Sequence, residues 1–282
     1  MTRRQQTLPG DASTPHRAST TSPITGRVAG CAALLAVIAL AAGVTTPVRS
    51  GPNCTQAVCL RYPYPDAAQG VPRDYWWMYP ATLLALTVLA LLACLYRDAT
   101  GTRRTLGLIG FGLAGVAATA LGIDYTIQLA VVQPSLLAGQ HDGLAPLVMY
   151  NPHGLFIALE DLGYLLTGAV LVFAGLAITD RSRAGRGARW VLATAGAAVL
   201  VAFAVLLIRE RADLADQVEI IAISIEWLAI AAAGVLLLIT SRRRPTPGAT
   251  TARPSGQHGQ NGQNRHHEPA QDRSHPATQD AP

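Results

Sequence analysis

Residues 190–208 read WVLATAGAAVLVAFAVLLI, an uninterrupted run without a charge, closed by Arg189 and Arg209. At 1.5 Å per residue the run is roughly 28 Å long as a helix, close to the ~30 Å of a bilayer's hydrocarbon core. A helix at the surface of a soluble protein shows a polar stripe every three or four residues, and this one has none. Its natural solvent is lipid.

Working outward from it, five more apolar runs emerge, and together they predict an all-α, polytopic transmembrane bundle of six spans. The spans fall at about 28–46, 79–96, 106–127, 154–178, 190–208 and 218–240. Arg27 precedes the first and Thr46-Pro47 closes it. The second is entered through Tyr75, Trp76 and Trp77, which with Tyr79 read as an aromatic belt at the membrane surface. The third follows Arg103-Arg104 and runs to Ile127, or as helix to Val132, before Pro134 ends it. Asn151-Pro152 suits the start of the fourth, as an Asn cap with Pro in first position. Residues 1–26 are rich in Ser, Thr, Pro and Arg, and residues 242–282 in Gln, Asn, Gly, His and Pro, so both read as disordered tails flanking a 27–241 membrane domain.

Composition agrees. Half of the 282 residues are hydrophobic and 14% are charged, against about a quarter charged in a soluble domain. The 22 basic residues are all Arg, which with the abundance of Ala and Gly points to a GC-rich bacterial genome. They lie in loops beside apolar runs with no recognition motif, so the basic balance reads as membrane topology and not as nucleic-acid binding.

Arg bias sets the orientation. With the N-terminus in the cytoplasm, Arg97, Arg103, Arg104, Arg181, Arg183, Arg186, Arg189 and Arg242 to Arg244 are all inside. Arg49, Arg61, Arg73, Arg209 and Arg211 are outside, and residues 130–153 contain no Arg. Both termini are then cytoplasmic, in a multi-pass protein of a bacterial plasma membrane. A rival reading takes the first span as a cleaved signal peptide, leaving five spans in the same orientation. Val28-Ala29-Gly30-Cys31 has the look of a lipoprotein cleavage box but precedes the apolar run instead of following it.

Topology gathers the acidic residues at one depth. Asp124 lies near the outer end of span three, Glu160 and Asp161 near the outer end of span four, and Glu219 and Glu226 near that of span six. Carboxylates in or near hydrocarbon are costly and by default face protein or a wet cavity. At 1.5 Å per residue, Glu160 and Glu226 are roughly 9–12 Å below the outer surface. The seven-residue spacing of His153 and Glu160, extended by Tyr164, and of Glu219 and Glu226, puts each set on one helix face. Tyr125 and Gln128 add polar groups beside Asp124, and Arg209 and Arg211 are candidate counter-ions. Asp124, His153, Glu160, Asp161 and Glu226 are thus the candidate ligand- or ion-binding set. The competing reading is a packing network of ion pairs and hydrogen bonds.

Other signals are weaker. Cys54 and Cys59 share an outer loop in an oxidising compartment and form the candidate disulfide; Cys31 and Cys94 read as packing residues. Gly110, Ala114, Ala118 and Gly122 place a small residue at every fourth position of span three, a ridge for close packing inside the bundle or in a homo-oligomer. Arg97-Asp98 and Asp180-Arg181 give the two basic hairpins a faint internal echo. No phosphate loop, nucleophile elbow, dinucleotide fingerprint or His-Glu-x-x-His motif occurs, so no cofactor is implied.

The stretches Asp124-Tyr125 to Gln128, Gln133-Pro134-Ser135-Leu136-Leu137, and Asn151-Pro152-His153-Gly154 through Glu160-Asp161-Leu162-Gly163-Tyr164 resemble a pattern in uncharacterised bacterial multi-span membrane proteins. That resemblance implies the six-helix class and no activity. Three functions follow as expectations. The first is binding or transport of a small cation, proton or small solute through an outward-facing acidic pocket. The second is a non-catalytic sensor or assembly protein, and the third an intramembrane metal-dependent hydrolase. The topology is open to direct test: a reporter active only in the cytoplasm is expected to work when fused after Arg244 and to be silent when inserted at 138–146.

Overall fold

The structure, a computed structural model, describes residues 21–51, 54, 56–209 and 217–242. Seven α-helices are described: α1 (Pro23–Val44), α2 (Met78–Asp98), α3 (Thr102–Ile127), α4 (Gln133–Leu137), α5 (Leu155–Ala177), α6 (Arg183–Arg209) and α7 (Gln217–Arg242). There is no strand among the described residues. A π-helical turn at Gln128–Val132 fuses α3 to α4, so six helices are long and apolar enough to cross a membrane.

Several boundaries differ from expectation, each for a local reason. The first helix begins at Pro23 and not near Arg27, because Ser22 caps it: its Oγ accepts from the Thr25 amide at 3.2 Å, with Pro in first position. Likewise α6 starts at Arg183, where Ser182 Oγ accepts from the Gly185 amide at 3.0 Å, so the basic run 183–189 is helix. Asn151 does not cap α5. Its Oδ1 accepts from the His153 amide at 3.0 Å and its Nδ2 donates to the Ala145 carbonyl at 2.9 Å, building a turn that delays the helix to Leu155. His153 therefore precedes α5, and the expected shared face with Glu160 does not form.

Pro134 does not end the third span. A proline inside a helix lacks the amide for one bond and crowds the carbonyl four residues earlier, here Ala130. The preceding turn widens to the π form, with the Gln133 amide on the Gln128 carbonyl, and the helix continues to Leu137.

The six spans close into a ring in chain order. Each packs on its neighbours, α1 on α2, α2 on α3, α3 on α5, α5 on α6 and α6 on α7, and α7 returns to α1; α5 also leans inward to touch α2 and α7. Lipid offers no hydrophobic drive between helices, so close backbone approach by small residues must supply the packing. A Cβ on Gly196 of α6 would stand 2.3 Å from the Gly168 carbonyl of α5. One on Gly234 of α7 would stand 2.4 Å from the Ala29 carbonyl of α1, and one on Gly163 of α5 2.4 Å from Leu121 of α3. The small-residue ridge of α3 is used inside the ring at Gly110, whose Cβ position is 2.9 Å from Phe173, whereas Gly122 faces open space.

Five threonine hydroxyls within the helices are satisfied by their own backbone. Thr82, Thr87, Thr119, Thr167 and Thr194 each donate to the carbonyl four residues back, at 2.7 to 2.9 Å. At the Arg-rich end, Asp98 accepts from the Ser22 amide at 3.0 Å and from the Thr25 hydroxyl at 2.5 Å. Asp180 accepts from Thr21 at 3.3 Å. The two aspartates of the sequence echo thus perform one task, holding the start of α1.

The opposite end is covered by a folded cap made of the described residues of 45–77 together with 138–154. Tyr64, Ala67, Leu144, Val148 and Tyr150 of the cap pack with Val132 and Leu136 from the end of the third long helix into a small core. Cys54 and Cys59 are joined by a disulfide within it. The aromatic belt divides here: Trp76 and Tyr79 are exposed, while Tyr75 and Trp77 turn inward and are buried.

Gly196→Ala is expected to destabilise the bundle by about 1–3 kcal/mol, the usual cost of overpacking. Thermal unfolding in detergent measures it, with Gly112→Ala as the neutral control, since a Cβ there meets nothing within 4 Å.

Candidate functional site

The cap is clasped by a single carboxylate. Asp74 lies in the short helical turn Arg73–Tyr75 and is fully buried. Its Oδ2 accepts from Arg49 Nε in a close ion pair and from the Tyr150 hydroxyl at 2.9 Å, while Arg49 Nη2 reaches Oδ1 at 3.5 Å. The Asp74 hydrogen bond raises the Arg49 guanidinium above its ordinary value, and burial pushes the Tyr150 phenol well above the tyrosine range. Gly70 makes room for the clasp: a Cβ there would stand 1.9 Å from the Tyr150 hydroxyl. The 45–77 and 138–154 segments are thereby held together although they are far apart in the chain.

Beneath the clasp lies a partly open cavity of about 390 Å³. The ends of α1 and α7 form its side walls, through Leu40, Gly43 and Val44 and through Ile220, Ile223 and Ser224. Arg49, Met149 and Tyr150 come from the cap. Trp77, Phe156, Glu160 and Trp227 complete the inner surface.

Glu160 is 2% exposed and is the one carboxylate among the described lining residues. It accepts from the Tyr125 hydroxyl at 3.1 Å, and Tyr125 in turn pairs with the Tyr164 hydroxyl at 2.9 Å. With an ionised Glu160, which can only accept, Tyr125 donates to the carboxylate and Tyr164 donates to Tyr125. The rings pack around this chain: Trp77 is edge-on to Tyr125 at 5.3 Å and to Phe156 at 6.5 Å, and lies 6.2 Å from Trp227. Trp227 also sits 6.3 Å from Tyr164. Such edge and tilted contacts fix ring positions beyond what area burial alone does.

Below Tyr164 and Trp227 the bundle is nearly solid. The void lined by α2, α3, α5 and α7 is about 20 Å³ and mostly apolar, space for one water at most. The larger cavity therefore has a closed floor.

The acidic set does not converge. Of Asp124, His153, Glu160, Asp161 and Glu226, only Glu160 lines the cavity. Asp124 is buried within α3, next to Tyr125 in sequence and so rotated about 100° from it. Asp161 is half-buried on the neighbouring face of α5, and His153 is exposed ahead of that helix.

Glu226 is fully buried, with both carboxyl oxygens lacking a hydrogen-bond partner. It points to the α5–α6 contact, where Oε1 is 3.4 Å from the Cβ position of Gly168. The next residue, Trp227, takes the cavity wall instead. Depth separates the two carboxylates as well: Glu160 is five residues into α5 and Glu226 nine residues into α7, roughly 7 and 13 Å along their axes.

Gln128 is fully buried and serves the site at one remove. Its Nε2 donates to the Leu147 carbonyl at 2.6 Å and its Oε1 accepts from the Met149 amide at 3.2 Å, which positions the cap segment that supplies Met149 and Tyr150. The side chains of Arg209 and Glu219, and all of Arg211, lie outside the described residues. Among the described residues no three His, Cys, Asp or Glu side chains form a group able to hold a metal ion.

Sequence reading missed Asp74, Arg49 and Tyr150 as a unit, and Trp77 and Trp227 as cavity residues. The clasp joins positions 25 and 76 apart in the chain, so no local pattern announces it. Trp77 differs from Trp76 only in the direction its backbone points it. No family model matches the chain, and no curated protein or solved structure matches it either.

Glu226→Leu is expected to raise the melting temperature, because a buried carboxyl group with no partner is replaced by an apolar side chain of similar size. Thermal unfolding of the purified protein at neutral pH measures it, and a loss of stability would show that Glu226 has a structural partner.

Proposed function

We propose that this chain is a multi-pass integral membrane protein that binds a small solute in the cavity under its cap, with Glu160 as the principal charged group. The observation that carries this reading is a buried carboxylate at the inner surface of a cavity of about 390 Å³. A volume of that order suits a small ligand, and the lining is of the expected kind, mostly apolar and aromatic with a few polar groups. The Arg bias of the loops supports a cap on the outer face, so the ligand would enter from outside the cell. The closed floor supports binding as the resting act; carriage across the membrane would require Tyr164 and Trp227 to move apart.

Tyr125 and Tyr164 are positioning residues, fixing Glu160 through the hydroxyl relay. Gln128 and the Asp74 clasp act further out, by holding the cap over the cavity. The metal-hydrolase alternative has no ligand set among the described residues to support it.

Native mass spectrometry of gently purified full-length protein tests the reading. A retained small molecule is expected in the wild type and its loss in Glu160→Gln, with membrane abundance unchanged. If abundance falls in step with occupancy, Glu160 is a packing residue. If instead a stoichiometric protein partner is retained and no small molecule, the sensor or assembly reading takes over.

A further inference from the structure

We infer that the ligand of this cavity is an organic ammonium ion, seated with its charge at Glu160 and its carbon skeleton against Trp77 and Trp227. The inference rests on the solute-binding reading above and adds the chemical class. Three features of the lining select it. The first is charge: Glu160 supplies one negative group, whereas Arg49, the one basic side chain among the described lining residues, is held by Asp74 in an ion pair. A cationic ligand meets a carboxylate, and an anionic one would have to break the clasp that holds the cap.

The second is the number of oxygen donors. Calcium takes six to eight oxygens and magnesium a near-octahedral set. Here one carboxylate is accompanied by the hydroxyls of Thr46, Ser50 and Ser224 within a largely apolar wall, while the Tyr150 hydroxyl is spent on Asp74. That set is too sparse to replace the water of a bare metal ion. An ammonium ion carrying alkyl groups is already weakly hydrated and needs a single counter-charge.

The third is the aromatic surface. Trp77 is 9% exposed and Trp227 4% exposed, and both border the cavity. An ammonium ion close to an indole face is attracted by the ring's negative face, most strongly when water is excluded, and indole is the strongest of the aromatic partners. A carboxylate at the end of an indole-walled, apolar cavity therefore recognises the two halves of one molecule, a charge and a hydrocarbon shell.

Tetraethylammonium chloride added to the purified full chain, with sodium chloride at equal ionic strength as control, tests this through tryptophan emission and melting temperature. The neutral probe 3-ethyl-3-pentanol has a similar shape and no charge. Tetraethylammonium is expected to change the emission and raise the melting temperature, and the alcohol to do so at least tenfold less well. Glu160→Gln should weaken tetraethylammonium binding by tenfold or more, Glu160→Asp should retain most of it, and Asp161→Asn, outside the cavity, should leave it unaltered. Should Glu160→Gln fail to fold, the wild-type comparison of cation with alcohol still decides. If the alcohol binds as well as the cation, and Trp227→Leu abolishes both, the cavity is a solute site but the ammonium class is wrong. If neither probe binds, or binding is indifferent to Glu160 and Trp227 alike, class and cavity are overturned together.

Discussion

Hydrocarbon offers no partner to an unpaired amide or carbonyl, and each one left there costs several kcal/mol. The architecture answers that constraint at every scale. Backbone groups are paired within helices, several threonine hydroxyls are turned back on their own helix's carbonyls, and the widened turn before Pro134 keeps a long helix going where a broken one would leave groups unpaired. Helices that cannot gain by hiding apolar surface from lipid gain by approaching closely. That is why glycines at 163, 196 and 234 lie where a Cβ would meet a neighbouring helix.

The cap solves a different problem in a different solvent. Its segments lie outside the long helices and mix polar with apolar residues around a small core, so a polar anchor is needed beside that core. Asp74 provides it by drawing Arg49 and Tyr150 to one buried point. A buried carboxylate is tolerable when its charge is matched and its lone pairs are occupied, and here both conditions hold. The cavity exists because this clasp and the Gln128 bonds to residues 147–149 hold the cap over the ring instead of letting it collapse into it.

Glu160 and Glu226 show how differently one ring treats two carboxylates. Glu160 faces the cavity, supported by two tyrosines. Glu226 turns away toward the α5–α6 seam, where its oxygens find no hydrogen bond. Their seven-residue neighbours in sequence suggested matched helix faces, yet His153 lies ahead of its helix. Periodicity locates a face only while the residues concerned are in the same helix, and the turn built by Asn151 ends that condition just before α5.

What the sequence determined by itself was local: six runs apolar enough for lipid, their helical state, and a set of acidic residues grouped near one end. These follow from composition over about twenty residues at a time, which is the length scale on which a chain chooses its solvent. Helix starts at Ser22 and Ser182 were legible in principle, since Ser followed by Pro or by good helix formers is a cap signal. Only the tertiary structure decided which carboxylate meets a cavity, which of Trp76 and Trp77 turns inward, and that Arg49, Asp74 and Tyr150 form one clasp. Those outcomes depend on helix rotation and on pairings between distant segments, and one residue of rotation, about 100°, moves a side chain from the cavity to a seam. The order of helices around the ring, and not the pattern along any of them, sets that rotation.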